Sequence, residues 1–527
     1  MTGTSPGLPS SPATANVGPQ QRRTRTPNEN ELEAMTLHDP HTSGKGLKGD
    51  EASGSAGRQK TGRLPALRWA ELPKPVALRK MLGPGVILVA VGIGSGEYIS
   101  HPYITSQVGL TFLWAAAVGL GLQYFINTEV ARYTLATGET AVTGFTRLWR
   151  GWAPLFVIMT VIPFAWPGWM SSAATMVTFT AGGQGNVQWI SIGGLVLIGL
   201  VLTLSPIVYK TVERLEFLKV IAILIFAVVI ILFVIGWEPW AALPSATVQG
   251  AFRMPDGISA AFLVTAMVFA GGGGALNLTV SNYIRDKGWG MGAHAPRIVS
   301  PITGHEEAGS GTGTQFKMTP ENTANWKIWW KNAKTEQFWS FFVIGLFTIV
   351  IFSLLAYRLI PVGTYEGKGD LSFIQLQASV IGEQFGGVLQ TFYLLIGTVA
   401  LMFANLAVVD IVARVVADVL AVSYLREHKF WTEAKIYSVS VWTMVGLGIV
   451  ILGAGVTQPI TLLAMAAILN CGVMVVYCAL LIQVNRKLHK VVRISRPRMV
   501  ALGIAVVFYA AVAIFTTITQ IQAIAAA

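Results

Sequence analysis

The chain has 527 residues, of which 53% are hydrophobic and only 12% charged, with a mean hydropathy of +0.57 and a formal net charge of +12. Soluble domains carry about twice that charged fraction, so a soluble fold is excluded and a multi-pass membrane protein is expected. The basic excess is spread over many short segments with no basic domain to gather it. That argues against a nucleic-acid partner and reads as contact with anionic lipid headgroups.

Residues 1–75 are rich in Gly, Ser, Thr, Pro and charge, with few aromatics, and read as a disordered cytoplasmic tail. No apolar core follows the early arginines, so a cleaved signal peptide is not expected. A membrane domain then occupies 76–527. Its apolar runs predict eleven transmembrane helices, near 84–108, 111–135, 153–180, 187–208, 215–236, 258–284, 336–360, 386–410, 436–453, 459–484 and 499–520. On this count all but Arg253, Arg358 and Lys368 of the 38 Lys and Arg fall on the side of the N-terminus. Retention of Lys and Arg on the cytoplasmic face places the N-terminus inside and the C-terminus outside a plasma membrane. One span more or fewer would break that alternation.

Span 1 contains Gly94-Ser95-Gly96-Glu97, a glycine break followed at once by a carboxylate. A glutamate at the centre of a membrane helix costs at least ~2.5 kcal/mol even on lenient scales. Irregular backbone at that depth is tolerated where it is buried in protein or lines a cavity. A broken helix bearing a charge is the local signature of a transporter site. His101 lies one turn beyond Glu97, and either hydrogen-bonds to it, relays a proton, or sits in the outer interface. Glu129 and Arg132, near the inner end of span 2, read as a structural ion pair or as part of a proton route.

Span 6 carries Gly271-Gly272-Gly273-Gly274, then Asn277, Thr279, Ser281 and Asn282. Each glycine costs about 1 kcal/mol relative to Ala in a helix. Spans 1 and 6 are both glycine-interrupted and lie five apart, the pattern of two inverted five-helix repeats with a site at their interface. The bland alternative is that glycines allow close helix packing. Backbone oxygens near Gly94, Ser95, Gly272, Gly273 and Gly274, the amide of Asn277 and the carboxylate of Glu97 form a hard-oxygen set suited to Mg, Ca or Mn. Met267 reads as core.

The loop 285–335 is expected to be cytoplasmic, with a flexible middle and a helix starting near Thr319-Pro320. Its Trp326, Trp329 and Trp330, interleaved with lysines, read as an interfacial anchor. In span 8, Asp410, Arg414 and Asp418 are four apart and can form a ladder of pairs, structural or proton-conducting. Asn470 in span 10 is a further polar contact or a helix–helix hydrogen bond. Cys471 and Cys478 stand two turns apart, about 10 Å, too far for a disulfide.

Several stretches together resemble the Nramp divalent-metal transporters: Gly83-Pro84-Gly85 through Glu97, Val108-Gly109-Leu110-Thr111-Phe112-Leu113-Trp114, Leu135-Ala136-Thr137-Gly138-Glu139-Thr140, Arg214-Leu215-Glu216 and Ala417-Asp418-Val419. The resemblance covers most of 80–520 and implies a LeuT-like fold and proton-linked cation transport. It departs at the site. The family's Asp-Pro-Gly-Asn motif aligns with Gly94-Ser95-Gly96-Glu97, its Met-Pro-His motif has no match near Gly274-Ala275-Leu276, and its span 3 acids are replaced by Pro163–Trp169. Ile93-Gly94-Ser95-Gly96-Glu97 is also similar to the glycine break of amino-acid/polyamine/organocation transporters, which share the fold.

The sequence therefore leads to an all-α secondary transporter that takes up a divalent cation, Mn²⁺ or Mg²⁺, with protons. A small organic solute such as an amino acid is the alternative. No enzyme motif appears, no cofactor is expected, and a monomer is expected.

Overall fold

The computed structural model describes residues 64–205, 207–255, 257–295, 312–365, 370–425, 428 and 430–526. Most of the tail expected over 1–75, and the start of the flexible middle of the 285–335 loop, lie outside the described residues. Residues 64–83 form an extended strap on the basic side. Arg147 Nη1 donates to Pro65 O (2.9 Å), Trp329 Nε1 to Pro73 O (2.8 Å) and Asn332 Nδ2 to Val76 O (3.1 Å). Residues 64–75, read from composition as part of the tail, are thus tied down by side chains remote in sequence.

Among the described residues ten helical stretches are long and apolar enough to cross a membrane, and the first runs over Pro84–Thr137, 54 residues. At 1.5 Å per residue that is about 80 Å, far beyond a ~30 Å hydrocarbon core. The chain reverses at Gly109, whose φ of +68° lies in the left-handed region. Gly96 before the turn and Gly119 after it both abut the same stretch of span 6, Phe269 and Met267 respectively. Their arms are therefore antiparallel, so that the ten stretches comprise eleven candidate spans among the described residues.

Contacts between spans repeat in two sets. Span 1 packs on spans 5 and 8, and span 5 on span 8; correspondingly span 6 meets spans 10 and 3, and span 10 meets span 3. This is the interlocking of two five-helix units. Span 3 bends where Pro163 and Pro167 interrupt it, dividing it into Trp152–Phe164 and Gly168–Thr180. Two helices not anticipated from sequence, Glu238–Gln249 and Ser372–Phe385, join spans 5 to 6 and 7 to 8.

Span 7 begins as Pro320–Gln337, with Thr319 Oγ1 accepting from Asn322 N (3.1 Å), and continues without a break through Phe338–Val343 and Ile344–Leu359. Trp326 and Trp329 are buried inside the protein, and the Arg132 guanidinium lies 3.9 Å from the centre of the Trp330 ring. The tryptophans expected to anchor in lipid instead hold the strap and span 2. The same helix also caps span 1. Gly85 N donates to Glu336 Oε1 (2.8 Å), which meets one of the orphan N–H groups at that helix start.

Candidate functional site

Gly272, Gly273 and Gly274 take φ of +101°, +59° and +61°. Three consecutive left-handed residues end any right-handed helix. The helix Ala260–Val268 stops there, and after two short 3₁₀ segments the chain becomes helical again at Val280–Asp286. Buried backbone groups freed by the break need partners, and neighbouring spans supply them. Gln123 Nε2 donates to Val268 O (2.9 Å) and its Oε1 accepts from Gly273 N (3.0 Å). Asn470 Oδ1 accepts from Ala275 N (3.2 Å), and Nδ2 donates to Ala466 O (3.0 Å). Asn277 Nδ2 donates to Asn127 Oδ1 (2.6 Å) and Tyr477 OH donates to Asn277 Oδ1 (3.2 Å). Asn277, read from sequence as a cation ligand, thus spends its amide on spans 2 and 10. Asn470 is a backbone cap, and a Cβ on Gly274 would collide with it.

Span 1 is interrupted in a milder way. Pro84–Ser95 is α-helical and runs into a single π-helical turn, Gly96–Ser100, followed by His101–Val108. The backbone at Gly94 and Ser95 therefore stays helical, and the unwinding expected there does not occur. Tertiary packing explains this. A Cβ on Gly92 would stand 3.0 Å from Gly271 Cα, one on Gly94 2.7 Å from Ala404 Cβ, and one on Gly96 2.8 Å from the Phe269 carbonyl carbon. The glycines let span 1 lie directly on spans 6 and 8, and that contact keeps a poor helix-former helical. π-turns within helices are frequent at functional sites.

The π-turn carries Glu97. It is fully buried, and among the described residues neither carboxylate oxygen has a hydrogen-bond partner in another residue. Oε1 flanks the seam between the spans: it and Gly272 N lie 3.1 and 3.2 Å from the point where a Gly92 Cβ would stand. Ser95 Oγ, Trp169 Nε1 and Asn405 Nδ2 are also buried without partners. Trp169 packs on Gly94 and on Phe269, with ring centroids 5.1 Å apart, and Asn405 follows the Ala404 that touches Gly94. Spans 1, 3 and 8 thus supply side-chain polar atoms without partners among the described residues near the seam with span 6. His101 does not join them, because its Nε2 lies 3.2 Å from Ala266 O of span 6.

A buried charge network lies on the basic side of this seam. Lys219 Nζ and Glu216 Oε2 of span 5 form an ion pair at 2.6 Å, both fully buried. Arg414 Nε pairs with Asp410 (2.7 Å), and its Nη1 with Asp286 of span 6. Asp418 does not continue that ladder. It pairs with Arg285 and accepts from Thr140 and Thr143 in the helix after span 2. Tyr437 donates to Asp410 (2.7 Å). Glu129 is engaged by Arg132 (2.8 Å), by Arg498 and by Asn485 (3.1 Å), a clamp between span 2 and the last two spans.

Sequence reasoning missed Gln123, Asn127, Trp169, Glu216, Lys219, Arg285, Asp286 and Tyr477. Glu216 with Lys219, and Arg285 with Asp286, were visible as charges at the margins of apolar runs. Gln123, Asn127 and Tyr477 gave no signal apart from polarity within a span.

Crystal structures of an Eremococcus coleocola manganese transporter are similar to this chain. A Glu-to-Gln mutant matches at a TM-score of 0.62 and 10% identity, covering 87% of this chain and 94% of that one. A complex with an aromatic bis-isothiourea substituted compound matches at 0.60 and 12% identity over the same shares. No protein-family model matches the sequence, and no curated protein does. The chain has the LeuT-like, Nramp-related fold, at a distance in sequence where only the fold is held in common.

Proposed function

We propose that this chain is a secondary active transporter whose cargo passes the seam between spans 1 and 6, with Glu97 as its cation-binding group and protons as the coupling ion. The carrying observation is the Glu97 carboxylate itself, fully buried with both oxygens unpartnered. A buried carboxylate with no hydrogen bond is costly enough that a proton or another cation must neutralise it for part of the cycle. A proton leaving Glu97 toward the cytoplasm meets the Lys219–Glu216 pair and then the Asp410–Arg414–Asp286 cluster, which gives this network a part in coupling. The likeness to a manganese transporter makes a divalent cation, Mn²⁺ or Mg²⁺, the first substrate to consider.

A second reading has its own support. Among the described residues no group of three or more His, Cys, Asp or Glu stands together to hold a metal. One carboxylate balances one positive charge, which suits a proton travelling with a small organic solute such as an amino acid. The test is Mn²⁺, Mg²⁺ and amino-acid influx into proteoliposomes, with and without an inward proton gradient, in wild type and Glu97→Gln. Proton-stimulated influx of either ion, lost in the variant, supports the cation reading. Proton-stimulated influx of amino acid alone, again lost in the variant, supports the second. Proton-stimulated influx that survives Glu97→Gln would overturn the role given to Glu97.

A further inference from the structure

On the basic side, remote from Glu97, the strap and three other segments line a half-open cavity of about 430 Å³ whose Lys317, Lys487 and His489 are exposed. Trp69 of the strap forms one wall. Phe316 forms another, in a segment joined to the strap by parallel pairing of Trp69 with Gln315. Thr137 closes the end of span 2, while Lys317, Lys487 and His489 supply the polar rim. The size lies within the range of small-molecule sites, roughly 300–1,000 Å³. No acidic residue lines the cavity. Among the described residues neither lysine is in an ion pair. His489 Nδ1 accepts from Val491 N (3.4 Å), which leaves its Nε2 as the ring's remaining donor. Phe316 is buried, while Trp69 is 63% exposed and leaves an aromatic face uncovered.

We infer that this cavity binds a phosphate ester with an apolar or aromatic body. Two unpaired ammonium groups and an imidazole are suited to a phosphate, which lysine binds as a point charge. The apolar wall takes what the phosphate carries, and a bare inorganic ion would leave that wall uncovered. The site sits at the ends of spans 2 and 10, so an anionic lipid headgroup from the adjoining leaflet and a soluble nucleotide share the chemistry. Occupancy would tie the strap to the 487–492 loop, two segments otherwise separated by the whole membrane domain in sequence.

The experiment uses the full chain purified in detergent, with two probes: phosphatidylglycerol, read by native mass spectrometry, and trinitrophenyl-ATP, read by fluorescence titration. The variants are the Lys317→Gln/Lys487→Gln double substitution and, as control, Lys490→Gln, which lies outside the cavity. At least one probe is expected to bind, at least tenfold more weakly in the double variant and unchanged in the control. Loss of lipid binding identifies a headgroup site, and loss of nucleotide binding a soluble-ligand site. Binding of neither probe, a double variant that binds like wild type, or an equal effect of Lys490→Gln would overturn the inference.

Discussion

Gly96 and Asn277 serve the same seam by opposite means. Gly96 contributes the absence of a side chain, letting the Phe269 carbonyl approach its Cα, and Asn277 contributes an amide that bridges spans 2 and 10. The amide has little slack. Truncating it in Asn277→Ala leaves Asn127 and Tyr477 with buried polar atoms unpaired, at about 1–3 kcal/mol for each group orphaned. Thermal unfolding in detergent should show Asn277→Ala clearly less stable than wild type, whereas Ser95→Ala, which removes a hydroxyl with no partner, should unfold at the wild-type temperature. A Ser95→Ala protein that keeps its stability but transports poorly would mark Ser95 as a group that meets cargo. Glycine runs and mid-span amides were legible as unusual, but a sequence does not say whether an amide faces a ligand or a neighbouring backbone. Here the broken span's own N–H groups claimed the amides of Gln123 and Asn470, and side chains of spans 2 and 10 claimed that of Asn277.

At the scale of elements, the two interrupted spans differ in kind. Span 6 breaks completely because three adjacent glycines adopt left-handed φ, while span 1 keeps helical hydrogen bonding apart from one π-turn. The inner end of span 6 is held by charges buried between spans 6 and 8. Arg414 stands between Asp410 and Asp286, so removing it takes an ion pair from two buried carboxylates at once. Breaking a buried pair typically costs about 3–5 kcal/mol, more than removing both partners together. Arg414→Met should therefore lower the unfolding temperature sharply. The triple variant Arg414→Met with Asp410→Asn and Asp286→Asn should recover much of that loss. If Arg414→Met alone unfolds like wild type, the network is not an interlock between these spans. The i,i+4 spacing made the Asp410–Arg414 pair readable in advance. The partnership of Asp418 with Arg285 was not, since it joins residues 133 apart in sequence.

Across the whole molecule, a count of eleven spans would put the end of span 11 on the face opposite the strap. From the distribution of Lys and Arg we propose that the strap's face is cytoplasmic. A reporter enzyme that is active only outside the cytoplasm, fused after residue 526, should therefore be active, and the same reporter placed in the 487–495 loop should be silent. Equal activity at both positions would contradict the crossing count. Composition and periodicity alone determined that this is a helical membrane protein, where its spans fall, which face is basic, and that spans 1 and 6 are special. Those properties follow from hydrocarbon thickness, backbone satisfaction and glycine's conformational freedom, all of which act within a single segment. Only the tertiary structure decided that span 1 stays helical, that Gln123 and Asn470 cap the break, that His101 meets the Ala266 carbonyl and not Glu97, and that the 64–83 strap is tied down. Each of those outcomes depends on which side chain from a distant span arrives at a given backbone group, and that is a property of packing.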